Sequence, residues 1–237
     1  MSEVWSIVVA GGEGRRFGAP KQFAALAGRP VVAWALEAAR SVSAGVVLVI
    51  PESALESGQW ADAAEAVVAG GDSRSASVRA GLAAVPASAD VVVVHDAARP
   101  LASEGLFAAV VESVTSGADG AVPGVALRDT VKRVEGGRVV ATLDRDGLVA
   151  VQTPQAFRAA VLRRAHEVGA DATDDAGLLE QLGAHVVVVA GEVENVKLTS
   201  ASDLALVESY LAARDPRRAH APAGPSGTQV RARQPRA

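Results

Sequence analysis

The residues best suited to chemistry stand in one loop near the start of the chain. Ala10-Gly11-Gly12-Glu13-Gly14-Arg15-Arg16-Phe17-Gly18-Ala19-Pro20-Lys21-Gln22 follows directly on the β-branched run Val4 to Val9. Glycines leave backbone amides open to a close ligand. Arg15, Arg16 and Lys21 add fixed cations to the same loop. Bare amides with cations suit a polyphosphate, whose oxygens carry dense negative charge. The loop is not a P-loop, because the chain contains no Gly-Lys pair. Nor is it a dinucleotide fingerprint, since Gly12, Gly14 and Gly18 are spaced one residue too wide.

Three further blocks carry polar groups at the edges of apolar runs. Val94-His95-Asp96-Ala97-Ala98-Arg99-Pro100 closes a strand-like run, which would aim Asp96 into a ligand crevice. A carboxylate beside a triphosphate can hold Mg²⁺, directly or through water; alternatively Asp96 is a turn former ahead of Pro100. His95 reads as a hydrogen-bonding residue of the strand end rather than an acid or base. Gly70-Gly71-Asp72-Ser73-Arg74-Ser75-Ala76-Ser77-Val78 opens a helix, with Asp72 or Ser73 as cap and with amides and hydroxyls able to read a base edge. Glu194-Asn195-Val196-Lys197-Leu198-Thr199 places Lys197 between a strand and the last helix. Thr173-Asp174-Asp175 suits a helix N-terminus through capping and dipole complementarity, a structural role rather than a catalytic one.

The elements that must position these groups alternate along the chain. Strands are expected at Val4–Val9, Val46–Ile50, Val67–Val68, Val91–His95, Ala121–Val125 and His185–Ala190. Val32, Ala35, Leu36 and Ala39 share one helix face, as do Leu204, Val207, Tyr210 and Leu211, with Ser200 and Asp203 as a capping box. Apolar strands without polar alternation suit a mostly parallel sheet covered on both faces. An α/β three-layer domain with a Rossmann-like sheet follows, its ligands at the carboxyl ends of the strands. Residues 128–152 break the pattern: Thr130 to Val134 and Arg138 to Val140 flank Gly136-Gly137, the signature of a protruding β-hairpin arm. Such an arm is a candidate for dimer exchange, or an ordinary surface hairpin.

Composition narrows the function classes. With 237 residues, 49% of them hydrophobic, the chain can bury one substantial core, expected over residues 1–213. A net charge of −4 and 3% aromatic content argue against a nucleic-acid binder. No cysteine is present, which removes disulfides and thiolate chemistry. The start, Met1-Ser2-Glu3-Val4, has no signal-peptide pattern, and no apolar run is long enough to span a bilayer, so a soluble cytoplasmic protein is expected. Residues 214–237 carry six arginines against one aspartate, a charge of +5 that leaves −9 for the rest of a chain totalling −4. Rich in Pro, Gly and Ala, that stretch is expected to be disordered.

The ordered blocks G-G-x-G-x-R…P-K-Q, G-G-D-x-R…S-V, V-H-D-A-A-R-P, R-D-T-V-K, D-R-x-G-L, T-P-Q-x-F, T-D-D-A and E-N-V-K-L-T resemble the 2-C-methyl-D-erythritol 4-phosphate cytidylyltransferases from about Val4 to Leu211. The resemblance implies a nucleotidyltransferase domain that passes CMP from CTP to a polyol phosphate with Mg²⁺, as a homodimer joined by the arm. By the same resemblance Arg16 and Lys21 act on the triphosphate, and Arg145 and Lys197 position the methylerythritol phosphate. Asp96 and Thr130 also bind that acceptor, with Arg145 and Thr130 reaching in from the partner's arm. Ala10, Gly11, Gly71, Asp72 and Ser77 surround the cytidine, and Gly12 and Gly14 of the glycine loop are further substrate-binding residues. Glu13, beside the phosphate site, the short Arg16–Lys21 segment and Val149 after Gly147-Leu148 depart from the family pattern. A ribitol-5-phosphate cytidylyltransferase shares the loop and mechanism, and a non-catalytic CTP sensor is the reading from another class. For an enzyme, losing Arg16 or Lys21 is expected to lower kcat roughly 10²–10³-fold, the scale of one transition-state donor. Steady-state turnover of an Arg16→Ala variant near the wild-type value would refute the role given to Arg16.

Overall fold

A computed structural model describes residues 2–12, 20–167 and 172–214. The Val4–Val9 run forms strand β1, and a short turn through β2 (Ala25–Leu26) and β3 (Arg29–Pro30) leads into helix α1 (Val31–Arg40). There follow β4 (Gly45–Ile50), α2 (Glu52–Glu56), β5 (Ala66–Ala69), α3 (Arg74–Ala84), β6 (Val91–Asp96) and α4 (Glu104–Thr115). The second half adds β7 (Gly120–Ala126), β8 (Val131–Glu135), β9 (Arg138–Leu143), β10 (Val149–Val151), β11 (Gln155–Arg158), α5 (Ala159–Glu167), α6 (Asp175–Gln181), β12 (Val186–Ala190) and α7 (Ala201–Arg214).

Among the described residues, eight of these strands make one sheet in the order β10-β7-β11-β6-β1-β4-β5, with β12 also paired to β7. Parallel pairing joins β5, β4, β1 and β6, and joins β7 to β12. β11 lies antiparallel between β6 and β7, and β10 is antiparallel to β7. Successive side chains of the central strands enter opposite layers. Val46, Leu48 and Ile50 of β4 pack with Val32, Leu36 and Phe107 of α1 and α4. Val47 and Val49 pack on the other side with Val78, Leu162 and Leu179 of α3, α5 and α6. Both faces being covered is why these strands read as continuous valine runs. A smaller cluster of Leu26, Trp34, Leu198, Val207 and Leu211 docks α7 against α1 and the β2–β3 turn.

The hairpin forms as expected from its Gly-Gly turn: Gly136 and Gly137 hold φ of 54° and 80°, a region where a Cβ is strained. It is shorter than residues 128–152, because Val149–Val151 pairs with β7 and belongs to the main sheet. Val134, Val139 and Val140 of the hairpin are exposed at 54%, 63% and 49%. Arg214, placed with the tail by composition, is the last residue of α7, where its Nε donates to Glu194 at 2.6 Å. Residues 215–237 lie outside the described residues. No helix among the described residues is long and apolar enough to cross a membrane.

Half of the expected capping box closes α7. Asp203 Oδ2 accepts the backbone N–H of Ser200 at 2.8 Å and of Thr199 at 2.7 Å, while Ser200 Oγ meets Ser202 Oγ instead of the helix. The Thr199 hydroxyl bond, followed by these N–H groups, lowers the Asp203 carboxyl from 3.8 to about 2. An Asp203→Ala variant is expected to lose about 1 kcal/mol of stability in urea denaturation at neutral pH. Because the folded state holds Asp203 ionised, that gap between wild type and variant is full above about pH 3.8 and disappears as pH falls toward 2.

Candidate active site

The carboxyl ends of β1, β4, β5 and β6 open into a crevice of about 960 Å³. Its floor is made where these strands part. Ala10 N–H donates to Val49 O at 2.7 Å, Gly70 N–H to Ile50 O at 2.8 Å, and Ala97 N–H to Val9 O at 3.0 Å. Beyond those bonds the chains diverge into the loops that line the crevice. Ala10, Gly11, Gly12, Lys21, Gly71, Asp72, Ser77, Asp96 and Lys197, all expected as site residues, line it together. Gly14 and Arg16 lie outside the described residues. Thr130 and Arg145 do not line it; both are exposed on the segment around the arm, where Arg145 Nη1 donates to Arg128 O.

The glycines are needed for close packing rather than for unusual dihedrals. A Cβ on Gly70 would stand 2.8 Å from Ser77 Oγ, and one on Gly71 2.6 Å from the Ala76 Cβ in the first turn of α3. Ser77 Oγ in turn accepts Gly71 N–H at 3.2 Å and donates to Ser73 O at 3.0 Å, so the loop is stitched to the helix it precedes. Ser73 caps α3, accepting Ala76 N–H at 3.1 Å, which decides between the two cap residues read from sequence. At Gly12, by contrast, no described residue comes within 4 Å of the Cβ position, and its carbonyl accepts Gln22 Nε2 at 3.0 Å.

Lys21 and Lys197 reach the crevice from distant parts of the chain. Lys21 Nζ donates to Leu198 O at 2.5 Å across 177 residues of sequence. Lys197, the neighbour of Leu198, places Nζ 2.7 Å from Asp96 Oδ2. Its loop is anchored on both sides: Asn195 is fully buried with Nδ2 donating to Thr153 O at 2.9 Å, and Leu198 N–H bonds Ala98 O at 2.8 Å. An isolated lysine in a loop is ordinarily a solvated charge; this one is presented by two buried neighbours.

Asp96 is 7% exposed, and its two oxygens hold different cations. Oδ1 accepts Arg74 Nε at 3.2 Å and Oδ2 accepts Lys197. Burial alone would raise the Asp96 carboxyl, but Arg74 and then Lys197 outweigh it and hold the group well below the usual carboxylate range. Burial likewise works against the Arg74 guanidinium, and Asp96 with Asp175 overcomes it and raises Arg74 above its ordinary value. Arg74 Nη1 meets Asp175 Oδ2 at 2.7 Å, while Asp175 Oδ1 faces His166 Nε2 at 2.9 Å. Asp174, not Asp175, caps α6, accepting Gly177 N–H at 3.1 Å. Sequence reading missed Arg74 and gave Asp175 only a capping role. The signal was faint, an arginine inside a glycine-serine block and a second acidic residue one position past the cap.

His95 is fully buried and behaves as expected of a strand-end histidine. The network assigns its tautomer: Asp96 N–H donates to Thr153 Oγ1 at 3.0 Å, the Thr153 hydroxyl donates to His95 Nδ1 at 3.2 Å, and His95 Nε2–H donates to Arg99 O at 3.1 Å. Burial lowers His95 to about 4, against the pull of Asp96, so the ring is neutral at physiological pH. It fixes the backbone that carries Asp96. Among the described residues no group of three or more His, Cys, Asp or Glu could hold a metal ion. Both Asp96 oxygens are already paired with cations, so among the described residues the crevice offers no cage of protein carboxylates for a metal ion.

The family described as 2-C-methyl-D-erythritol 4-phosphate cytidylyltransferase matches residues 4–213. The chain is 44% identical to the protein of that name from Rubrobacter xylanophilus, over 92% of this chain and 98% of the relative. It is 45% identical to the one from Streptomyces avermitilis, over 88% and 92%. Among solved structures, the 2-C-methyl-D-erythritol 4-phosphate cytidylyltransferase of Thermus thermophilus superposes with a TM-score of 0.75 at 34% identity, covering 86% of this chain and 97% of that one. The 4-diphosphocytidyl-2C-methyl-D-erythritol synthase of Anaerococcus prevotii gives 0.76 at 27% identity, covering 89% and 98%.

The neutral imidazole makes the site acid-sensitive in a defined window. Unfolded, His95 takes its proton near pH 6.5; folded, only near 4. Its contribution to stability is therefore complete above about pH 6.5 and is lost as pH falls to about 4. Asp96 adds a separate loss below its ordinary 3.8. Urea midpoints measured from pH 7 to 4 should fall more steeply for wild type than for His95→Gln; parallel curves would remove His95 from this account.

Proposed function

Because the chain belongs to the 2-C-methyl-D-erythritol 4-phosphate cytidylyltransferase family, we propose that this crevice transfers CMP from CTP to 2-C-methyl-D-erythritol 4-phosphate, releasing pyrophosphate and forming 4-CDP-2-C-methyl-D-erythritol for isoprenoid synthesis. The observation that carries the reading is the meeting of Lys21 and Lys197 over a glycine floor, the first bonded to the carbonyl next to the second. An acceptor phosphate oxygen attacks the α-phosphorus of CTP. One P–O bond forms, the bond to the bridging oxygen breaks, and pyrophosphate leaves with that electron pair. A phosphate monoester is already an anionic nucleophile, so the site needs cations and placement more than a base.

In this reading Lys21, with Arg16, faces the triphosphate, and Lys197 faces the acceptor phosphate. Asp96 accepts from acceptor hydroxyls, and Gly71, Asp72 and Ser77 border the cytidine. Asp96 is the carboxylate that would help hold Mg²⁺ on the CTP phosphates, where the ion would supply charge neutralisation. The exposed valines of the β8–β9 hairpin favour a homodimer in which each arm brings Thr130 and Arg145 to the partner's crevice. The reading puts the enzyme in the cytoplasm, where CTP is made.

Pyrophosphate release with CTP and Mg²⁺ tests the assignment when methylerythritol 4-phosphate and ribitol 5-phosphate are offered in parallel. Preference for the first is the expected result, and preference for ribitol phosphate overturns the acceptor. Arm exchange has its own test. Lys197→Ala and Arg145→Ala subunits, each inactive alone, should recover about a quarter of wild-type activity when mixed and allowed to exchange, because a two-fold heterodimer retains one intact site. No recovery after proven exchange would put Arg145 in its own subunit's site or outside both.

A further inference from the structure

Asp96 holds two cations on two oxygens, although a guanidinium alone can satisfy both oxygens of a carboxylate through parallel N–H bonds. Arg74 does not do so. Its Nε meets Asp96 Oδ1 at 3.2 Å and its Nη1 is drawn to Asp175 Oδ2 at 2.7 Å, while Nη2 is buried with no hydrogen-bond partner among the described residues. A buried arginine nitrogen left unpaired is costly, and turning the fork onto Asp96 would relieve it. Asp175 is 1% exposed and itself fixed by His166, so it pulls on Arg74 from a rigid position between α5 and α6. The oxygen that the fork leaves alone is Oδ2, which Lys197 occupies.

We propose that Asp175 is a positioning residue: by splitting the Arg74 fork between two carboxylates it reserves Asp96 Oδ2 for Lys197, and so sets the ammonium that meets the acceptor phosphate. The last clause rests on the reading of the crevice as a cytidylyltransferase site; the reservation itself does not. Without the charge of Asp175, Arg74 closes on both oxygens of Asp96 and displaces Lys197. A lysine at position 74 has no fork and cannot do this.

Brief reductive methylation, read at the peptide containing Lys197 by mass spectrometry, follows the pair without any turnover, since the Lys197 side chain is 40% exposed. In Asp175→Asn, Lys197 should be methylated roughly tenfold faster than in wild type, the scale of one charge-assisted hydrogen bond lost. In Arg74→Lys/Asp175→Asn the rate should return to that of wild type. An unchanged rate in the single variant, or a fast rate in the double, overturns the proposal. Should Asp175→Asn fail to fold, Arg74→Lys alone carries the test: Lys197 stays protected if only a fork can displace it, and faster methylation overturns it. In steady state, Asp175→Asn should raise the acceptor KM roughly tenfold, on the same scale, and leave the CTP KM within about twofold. A merely structural role would instead lower the melting temperature and move both constants together, and would count against the proposal. If wild type shows a protected Lys197 and turns over neither acceptor, the proposed reaction fails while the reservation of Oδ2 stands.

Discussion

A carboxylate withdrawn from water at the end of a buried strand must be answered by cations, and that requirement organises this molecule. Asp96 terminates β6 at the centre of the sheet, 7% exposed. Desolvation of an unpaired carboxylate would drive it to protonate or drive the strand end apart. It is met instead from two directions, by Arg74 at the start of α3 and by Lys197 from the loop before α7. Each cation demands its own support. Arg74 needs Asp175 and therefore α6, whose N-terminus is fixed by Asp174. Lys197 needs Asn195 and Leu198, which seat its loop on the turn after β6 and on the segment around Thr153. One buried charge thus ties the first layer of helices to the last.

Much of the fold was readable because valine runs and a 3.6-residue period are local. Every expected strand exists, with ends within one or two residues of expectation, and Val32, Ala35, Leu36 and Ala39 are all buried on α1. What escaped reading was non-local. β11 has the sequence Gln-Ala-Phe-Arg, too short and too mixed to announce a strand; it exists because β6 and β7 flank it. β10 was assigned to the arm because it continues an exposed hairpin, and only pairing with β7 reveals it as sheet.

The site divides in the same way. Glycines, Asp96 and Lys21 sit in blocks whose composition already suggests an anion, so nine expected residues meet in one crevice. Lys197 alone would pass for a surface lysine, and it was the ordered set of blocks that singled it out. Arg74 and Asp175 stand 101 residues apart, and neither has a local pattern that calls for the other. The half-formed capping box at Ser200 and Asp203 adds a smaller lesson. Residue spacing specified the acidic partner correctly, but a nearby serine competed successfully for the hydroxyl.

The bond from Lys21 to the carbonyl of Leu198 has a consequence for how the molecule comes to be made. A ribosome delivers β1, β4, β5 and β6 long before residue 198, and those four strands already pair in sequence with their neighbours. The Lys21 anchor and the second cation on Asp96 both arrive from residues 197 and 198. Contacts closed over such sequence separations form late, after the loop entropy of everything between them has been overcome. The nascent domain therefore acquires its sheet first and the two lysine contacts of its crevice last, so whatever binds between them cannot guide the early stages of folding and can only stabilise the finished product.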